Sequence, residues 1–187
     1  MENKNNASVI IKCTFVLTAI TFVVAALLAT CNAVAREKIA ANMASKAAQM
    51  RKAVISAEHF EKFRAGDSEC YVAKDADGNT IGYVFTTSEP GYGGAISVMT
   101  AIGADGKISG VKILSHNETP GLGANADNPE WVAQFKGLSG GLKVKKDDPN
   151  GQIDAVTSAT ISSRAITRAV NSALCAFQKI RQGGSDK

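Results

Sequence analysis

The sequence predicts an α+β fold, with a single N-terminal transmembrane helix followed by a domain in which helices pack on a twisted antiparallel sheet. Three observations predict it: an uncharged run at 13–35, two pairs of segments that alternate in hydrophobicity around Asp-Gly turns, and a helical hydrophobic period near the C-terminus. A chain of 187 residues has room for one domain beside a membrane segment.

Residues 13–35 contain no charged side chain and, as a helix, are long enough to cross a hydrocarbon core of about 30 Å. A cleaved signal peptide has an apolar stretch of only about 7–15 residues. We therefore expect a retained transmembrane helix, with residues 1–12 as a short tail before it. Leu28-Ala29-Thr30-Cys31 resembles a lipoprotein signal, which leaves acylation of Cys31 open, although Thr is unusual just before the cysteine.

Charge does not determine which side of the membrane the following domain occupies. Two lysines precede the span, and five basic residues follow it closely: Lys4 and Lys12 before it, and Arg36, Lys38, Lys46, Arg51 and Lys52 after it. The positive-inside rule, applied to these counts, would place the domain in the cytoplasm. A long folded domain after the helix makes such counts a weak guide, so the topology stays open at this point.

A connecting helix is predicted over 36–64, because hydrophobic residues recur there every three to four positions and neither Gly nor Pro interrupts the run before Gly66. The hydrophobic period then changes to two. Strands are predicted around the turns Asp77-Gly78 and Asp105-Gly106, and a Gly-rich loop joins the two hairpins. The four strands are Cys70–Lys74, Ile81–Phe85, Ala95–Ile102 and Lys107–Leu114, and the loop is Pro90–Gly94.

The remaining elements are shorter, apart from one C-terminal helix. Asn128 to Phe135 has the pattern of a short helix, and Leu142–Lys145 and Ile153–Val156 are further candidates for strand. Ser162 to Ile180 predicts a helix capped by Ser162 or Ser163. Its buried face is predicted to carry Ile166, Val170, Leu174 and Phe177.

Composition excludes several functional classes. The net charge is only +4 with scattered lysines, so nothing indicates nucleic-acid binding. The four cysteines form no C-x-x-C pair and lie far in sequence from the two histidines, so no zinc or iron–sulfur site is predicted. A disulfide between Cys70 and Cys175 is conceivable outside the cytoplasm, but two buried free thiols are the favoured interpretation.

The first motif with chemical content is Asp154-Ala155-Val156-Thr157-Ser158-Ala159-Thr160, which directly precedes the C-terminal helix. A helix N-terminus attracts phosphate through its free N–H groups and its dipole, and the small side chains of Ser158 and Ala159 allow close approach. The commoner meaning of such a hydroxyl cluster is helix capping. From the residues alone, capping is the preferred interpretation.

This string resembles the flavinylation motif D-x-x-[ST]-[GS]-A-T of the FMN-binding domain family, with Ser158 at the position where glycine is usual. The resemblance implies that a flavin transferase joins the phosphate of FMN to the hydroxyl of Thr160, and that Asp154 belongs to what the transferase recognises. It also implies an FMN-binding domain over 65–182, before a flexible tail at 183–187. Thr157, Ser158 and Ala159 are then expected beside the cofactor.

The second motif is His116-x-Glu118-Thr119-Pro120-Gly121-Leu122-Gly123, a tight loop by its Pro and Gly content. Such a loop can press its backbone and Leu122 against a flat ring, while Glu118 or Thr119 reaches polar edges and Gly121 permits the turn. An ordinary loop is the alternative. His116 is expected to hold the loop by a hydrogen bond rather than to transfer protons.

Together, the two motifs after one membrane span resemble the G subunit of the Rnf complex, an ion-translocating ferredoxin:NAD oxidoreductase. The C subunit of the sodium-pumping NADH:quinone reductase is a related family. The resemblance implies a relay of electrons from a membrane iron–sulfur subunit to a second FMN-bearing subunit. It also implies a domain on the extracytoplasmic side, with no catalytic turnover of its own. A flavin-bearing lipoprotein and a non-redox tethered binding domain are the alternatives.

Three further residues are assigned from their positions. His59 is expected on the connecting helix in a structural or solvated role, and Trp131 is expected to pack a helix onto the sheet, with flavin stacking as the alternative. Arg164, near the start of the C-terminal helix, is expected to face either a phosphate or solvent.

Overall fold

The structure is a computed structural model that describes residues 2–65 and 68–183. The chain divides into two compact units, Met1–Ser45 and Lys46–Lys187. Beyond Gly183, the predicted tail lies outside the described residues.

Helix α1 (Glu2–Val54) contains the apolar run. Among the described residues it is the one helix long and apolar enough to cross a membrane. The hydroxyls of Thr14, Thr18, Thr21 and Thr30 donate to carbonyls three or four residues earlier in the helix. Because these hydroxyls are satisfied within the helix, they need no water. The helix already begins at Glu2, so the predicted tail at 1–12 is largely helical.

Five antiparallel strands form one sheet in the order β1-β2-β3-β4-β5, so that each strand pairs with its neighbour in sequence. The strands are β1 (His59–Ala65), β2 (Ser68–Lys74), β3 (Thr80–Pro90), β4 (Ala95–Gly103) and β5 (Ile108–Ser115). The four predicted strands and both Asp-Gly turns are confirmed. Gly78 and Gly106 have φ of +82° and +85°, the region that glycine enters without strain.

The prediction of a connecting helix over 36–64 is wrong at its C-terminal end, where strand β1 forms instead. The helix ends at Val54, and His59 to Ala65 pair in register with Lys74 to Ser68 of β2. The backbone of this segment is therefore satisfied by a neighbouring strand rather than by a helical turn. No Gly or Pro marks the change, so the local sequence did not reveal it. His59 consequently lies exposed on an edge strand, not on a helix.

Helix α3 (Thr160–Gly183) packs across β3 and β4 and covers one face of the sheet. Its buried face carries Ile166, Val170, Leu174 and Phe177, as the spacing predicts. Burying each such side chain contributes about 1.5–3 kcal/mol. A polar contact adds to this, because Thr87 Oγ1 on β3 donates to the Ala169 carbonyl at 2.9 Å.

The opposite face of the sheet is covered by the last turns of α1. Val54 packs there with Val84, Met99 and Ala101. Gly110 on β5 makes this approach possible, since a Cβ at that position would lie 2.8 Å from the Val54 carbonyl oxygen.

The segment between β5 and α3 is mostly irregular. It contains a 3-10 turn (Gly123–Asp127) and the short helix α2 (Pro129–Ala133), whose Asn128 side chain accepts the Glu130 N–H at 2.9 Å. The predicted helix in this region is thus confirmed. The candidate strands Leu142–Lys145 and Ile153–Val156 do not form as strands. They contribute one isolated parallel bridge, between Val144 and Ile153.

The cysteines of the folded unit are free thiols. Cys70 is buried, and burial raises the pKa of its thiol to about 11. Cys175 lies on the solvent face of α3 and is exposed, which corrects the prediction that both thiols are buried.

Candidate functional site

A cavity of about 410 Å³ lies at the start of α3. Three separate segments line it: the Gly-rich loop between β3 and β4, the loop after β5, and the turn that leads into α3. The lining residues are Tyr92, then Glu118, Thr119, Leu122 and Gly123, then Ser158, Ala159, Thr160, Ile161 and Ser162. Both motifs singled out in the sequence therefore meet at one cavity, although some 40 residues separate them.

The turn into α3 is held by the hydroxyl group of Ser163, which lies in the first turn of the helix. Ser163 Oγ accepts the Val156 N–H at 3.0 Å and donates to the Ala159 carbonyl at 3.0 Å. Ala159 N–H also donates to the Val156 carbonyl. The helix begins at Thr160, so Ser162 and Ser163 lie inside its first turn and the prediction that one of them is the cap is wrong.

Ser158 has a φ of +61° and is the one non-glycine residue of the described chain with positive φ. In that conformation Cβ crowds the following carbonyl, which costs about 1–2 kcal/mol. This left-handed residue turns the chain immediately before the helix. It leaves Ala159 buried and Thr160 half-buried at the cavity.

Thr160 Oγ1 lies 3.4 Å from Nζ of Lys146. The first N–H groups of a helix have no intrahelical acceptor, and the helix dipole adds partial positive charge. The hydroxyl of Thr160 is thus at a helix N-terminus and next to an ammonium group. This arrangement is suited to a phosphate.

Glu118 is the polar centre of the cavity wall and only 7% exposed. Its Oε1 accepts the N–H groups of Tyr92 at 2.9 Å and Gly93 at 3.0 Å, while its Oε2 accepts the hydroxyl of Ser162 at 2.7 Å. One carboxylate thereby joins the three segments that line the cavity.

The carboxylate of Glu118 is stabilised in its ionised form. Burial raises its pKa, but the hydrogen bonds from Ser162, Gly93 and Tyr92, together with the field of His116, outweigh burial and lower the pKa below its ordinary value. The Glu118 N–H donates to His116 Nδ1 at 3.2 Å. His116 therefore holds the loop by a hydrogen bond, as predicted.

Two glycines permit the close approach around this carboxylate. A Cβ on Gly123 would collide with Glu118 Oε2 and lie 2.7 Å from Ser162 Oγ, and a Cβ on Gly93 would collide with the Asn117 carbonyl oxygen. Larger residues at either position would push the three segments apart.

The rim of the cavity is apolar and solvent-exposed. Tyr92 is 75% exposed, Leu122 45% and Ile161 48%. Outside α1, Phe63, at 41%, is the one other large hydrophobic residue of the described chain that is exposed. Exposed apolar side chains gathered around a cavity indicate a surface that a ligand or partner covers.

Comparison with known proteins assigns the family. The FMN-binding domain family matches residues 91–175, a range that includes every residue lining the cavity. The chain is 31% identical to the G subunit of the Na(+)-translocating ferredoxin:NAD(+) oxidoreductase complex of Acetobacterium woodii, over 96% of this chain and 99% of that protein. The chain belongs to this family of G subunits.

The G subunit of the proton-translocating ferredoxin:NAD(+) oxidoreductase complex of Clostridium ljungdahlii is 43% identical over 67% of this chain and 68% of that protein. Among solved structures, the C subunit of the Na(+)-translocating NADH-quinone reductase of Parabacteroides distasonis aligns with a TM-score of 0.50 at 24% identity, over 60% of this chain and 61% of that one. This likeness concerns the fold, an antiparallel sheet with packed helices, which agrees with the predicted class.

In this G subunit, the predicted site residues fall into two groups. Those that line the cavity are Glu118, Thr119, Leu122, Ser158, Ala159 and Thr160. Gly121, Thr157 and Asp154 lie outside the lining. Gly121 has a φ of +79° and forms the turn of its loop, and Thr157 is exposed.

Asp154 is anchored through its main chain. Its carbonyl accepts the indole N–H of Trp131 at 2.7 Å, and its N–H donates to Gln134 Oε1 at 2.7 Å. Its exposed carboxylate pairs with Lys145 at 2.7 Å. Trp131 stacks edge-on against Phe135, with ring centroids 5.5 Å apart, and is absent from the cavity lining. Trp131 therefore anchors the first motif of the G subunit, rather than lying in position to stack on a ligand.

Other residues and contacts of the site were missed from the sequence. Arg164 is exposed, which agrees with the solvent alternative, and it also pairs with Asp147, a partner that the sequence did not indicate. Tyr92 and Ile161 at the rim were missed, although the Gly-rich loop before β4 was a signal for the first. Lys146 was also missed, because nothing in the local pattern distinguishes it from Lys143 and Lys145.

Proposed function

We propose that FMN is held covalently by this G subunit, as a phosphoester of the Thr160 hydroxyl, and that the protein relays electrons within a membrane-bound ion-translocating ferredoxin:NAD oxidoreductase complex. The observation that carries the proposal is the coincidence of two features. The match to the FMN-binding domain covers the cavity, and Thr160 lines that cavity at the start of a helix. The names of the relatives supply the coarser part, membership of such a complex.

The residues present fit this cofactor. Thr160 offers the hydroxyl for the ester, and the helix N-terminus together with Lys146 favours the phosphate. Tyr92, Leu122 and Ile161 offer apolar surface for a flat ring at the mouth of the cavity. FMN, when bound, supplies one-electron chemistry. The protein's part is to hold the phosphate at a fixed point and to shield one side of the ring from water.

Glu118 has a supporting role in this proposal. Three of its hydrogen bonds fix the walls of the cavity. We therefore assign it to positioning the Tyr92 loop and the first turn of α3.

Attachment requires a flavin transferase, which must reach Thr160 from solvent and use a flavin donor whose FMN phosphorus carries a leaving group, so that the bond to Thr160 Oγ1 forms as the bond to that group breaks and the hydroxyl proton is released. Thr157 and Ser158 are exposed beside it, and the carboxylate of Asp154 faces solvent on an anchored main chain. These exposed groups of the first motif are the surface that the transferase would recognise.

The relay also requires neighbours in the membrane. We propose that α1 spans the membrane once and that the folded domain lies on the extracytoplasmic side. There it would take electrons from a membrane iron–sulfur subunit and pass them to a second FMN-bearing subunit. The length and apolar content of α1 support the span. The side of the membrane rests on the family resemblance.

The proposal is tested by in-gel flavin fluorescence after denaturation, with the full chain co-expressed with a flavin transferase. Wild type should give a fluorescent band, Thr160→Ala should be dark, and Thr86→Ala, a matched control at an exposed threonine of β3 outside the motif and the cavity lining, should remain fluorescent. A dark wild type beside a known substrate that the same transferase labels would reject the proposal and favour a non-redox tethered binding domain. Fluorescence that persists in Thr160→Ala would keep a covalent flavin but move its attachment.

A further inference from the structure

The segment 143–148 lies beside the start of α3, because Asp147 pairs with Arg164 and Lys146 contacts Thr160. The segment and its surroundings are densely charged. Three ion pairs form there: Lys143–Asp148 at 2.7 Å, Lys145–Asp154 at 2.7 Å, and Arg164–Asp147. Each of the three carboxylates thus has a cationic partner.

Lys146 is the exception in this cluster. Within the ranges the structure describes, its ammonium group has no carboxylate within ion-pair distance, and its hydrogen bond goes to the Thr160 hydroxyl at 3.4 Å. The cluster holds four cations and three carboxylates, which leaves one positive charge without a counter-charge. That charge contacts the hydroxyl to which the first motif assigns the phosphate.

The backbone that presents Lys146 is fixed on both sides. Lys145 N–H donates to the Ile153 carbonyl at 2.9 Å, and Asp147 N–H donates to the Val144 carbonyl at 2.9 Å. The side chains of Lys145 and Asp147 are also held in ion pairs. An unpaired lysine on a mobile loop would be an ordinary solvated charge. Here the backbone is held on both sides of Lys146, and its ammonium lies 3.4 Å from Thr160 Oγ1.

We propose that Lys146 binds the phosphate of the group esterified to Thr160 and is the counter-ion of that phosphodiester. The inference rests on the proposed attachment at Thr160 and adds a residue that the motif does not contain. A phosphodiester carries a single negative charge, which matches the one unpaired cation of the cluster. Charge-assisted hydrogen bonds to phosphate oxygens are stronger than those between neutral groups, so Lys146 should exchange its long contact with the hydroxyl for a contact with the ester.

The test uses the full chain, co-expressed with a flavin transferase and purified in detergent, as wild type, Lys146→Met, Lys146→Arg and Lys143→Met. Lys143→Met is the matched control, since it removes a neighbouring lysine whose contact is with Asp148. Two quantities are measured. The first is the phosphorus-31 resonance of the native protein. The second is the gain in melting temperature, which is the melting temperature of each flavinylated protein minus that of the same protein carrying the additional change Thr160→Ala.

Lys146→Met should shift the phosphorus resonance and reduce the gain in melting temperature by about 2–4 °C, while the control leaves both as in wild type. Lys146→Arg should restore most of the gain. An unchanged resonance and an unchanged gain in Lys146→Met would overturn the role of Lys146, although the flavin ester would stand. Absence of a protein-bound phosphorus signal in denatured wild type would instead reject the attachment itself, so the two failures are distinguishable.

Discussion

Ser158 stands where the related flavinylation motif most often has glycine, and its backbone shows why glycine is favoured there. Its φ of +61° lies in the left-handed region that disfavours a Cβ. Ser158→Gly should therefore raise the free energy of unfolding by about 0.5–1 kcal/mol, after the entropy that glycine adds to the unfolded chain is counted.

Urea unfolding of the cofactor-free protein checks this expectation. Ser139→Gly is the matched control, because Ser139 is exposed and has no positive φ, so the added flexibility alone should destabilise the protein slightly. Equal losses of stability in both variants would show that the left-handed turn stores no strain.

The free energy of unfolding is expected to depend on pH through the carboxylate of Glu118. Its pKa is lowered in the folded state, so its contribution is present at pH values above the unfolded pKa and is lost as the pH falls through the folded pKa. Glu118→Gln removes the charged acceptor of three hydrogen bonds and should cost about 1.5–3 kcal/mol near neutral pH. The difference from wild type should shrink on the acid side of the ordinary pKa of 4.5.

Urea unfolding from about pH 3 to about pH 7 measures this difference. Glu130→Gln is a suitable control, since Glu130 is exposed in the first turn of α2 and its side chain has no hydrogen bond within the described chain. A Glu118→Gln deficit that stays constant over the whole range would show that ionisation of Glu118 does not contribute.

At the scale of elements, the contact between the end of α1 and the sheet depends on glycine at position 110. A Cβ on Gly110 would lie 2.8 Å from the Val54 carbonyl oxygen and 3.2 Å from its Cα. Gly110→Ala should therefore lower the free energy of unfolding by about 1–3 kcal/mol, because backbone atoms cannot yield as a flexible side chain can.

Gly141→Ala is the control for this element, because a Cβ there meets no atom within 4 Å and Gly141 has no positive φ. The comparison is made by chemical denaturation of both variants. If the two lost the same stability, close packing of the last turns of α1 on the sheet would be contradicted.

At the scale of the whole molecule, the exposed thiol of Cys175 offers a direct test of the proposed topology. Cys70 is buried with its pKa raised to about 11, so it holds almost no thiolate at neutral pH and should not react. In a chain whose Cys13 and Cys31 are replaced by alanine, a membrane-impermeant maleimide added to intact cells should label Cys175, and the further change Cys175→Ser should abolish the labelling. Labelling that requires permeabilised cells would place the domain in the cytoplasm.

The sequence alone determined the apolar helix, the four strands around the two Asp-Gly turns, α2 and the buried face of α3. Each rests on a local period or on a turn whose conformation its own residues favour. The hydroxyl residues of the first motif also identified the turn into α3, whereas Thr160 was singled out by the resemblance to the flavinylation motif. These features depend on residues within a few positions of one another, so they are readable along the chain.

Only the tertiary structure decided which distant groups meet. Strand β1 forms because β2 offers partners to His59–Ala65, a choice that no residue within the run signals. Glu118 bonds to Ser162, 44 positions away, and Lys146 contacts Thr160, 14 positions away. Hydrophobic periodicity records which face of an element is buried, but not which polar groups face each other across the fold. That pairing is set by the packing of α3 and the loops against one sheet.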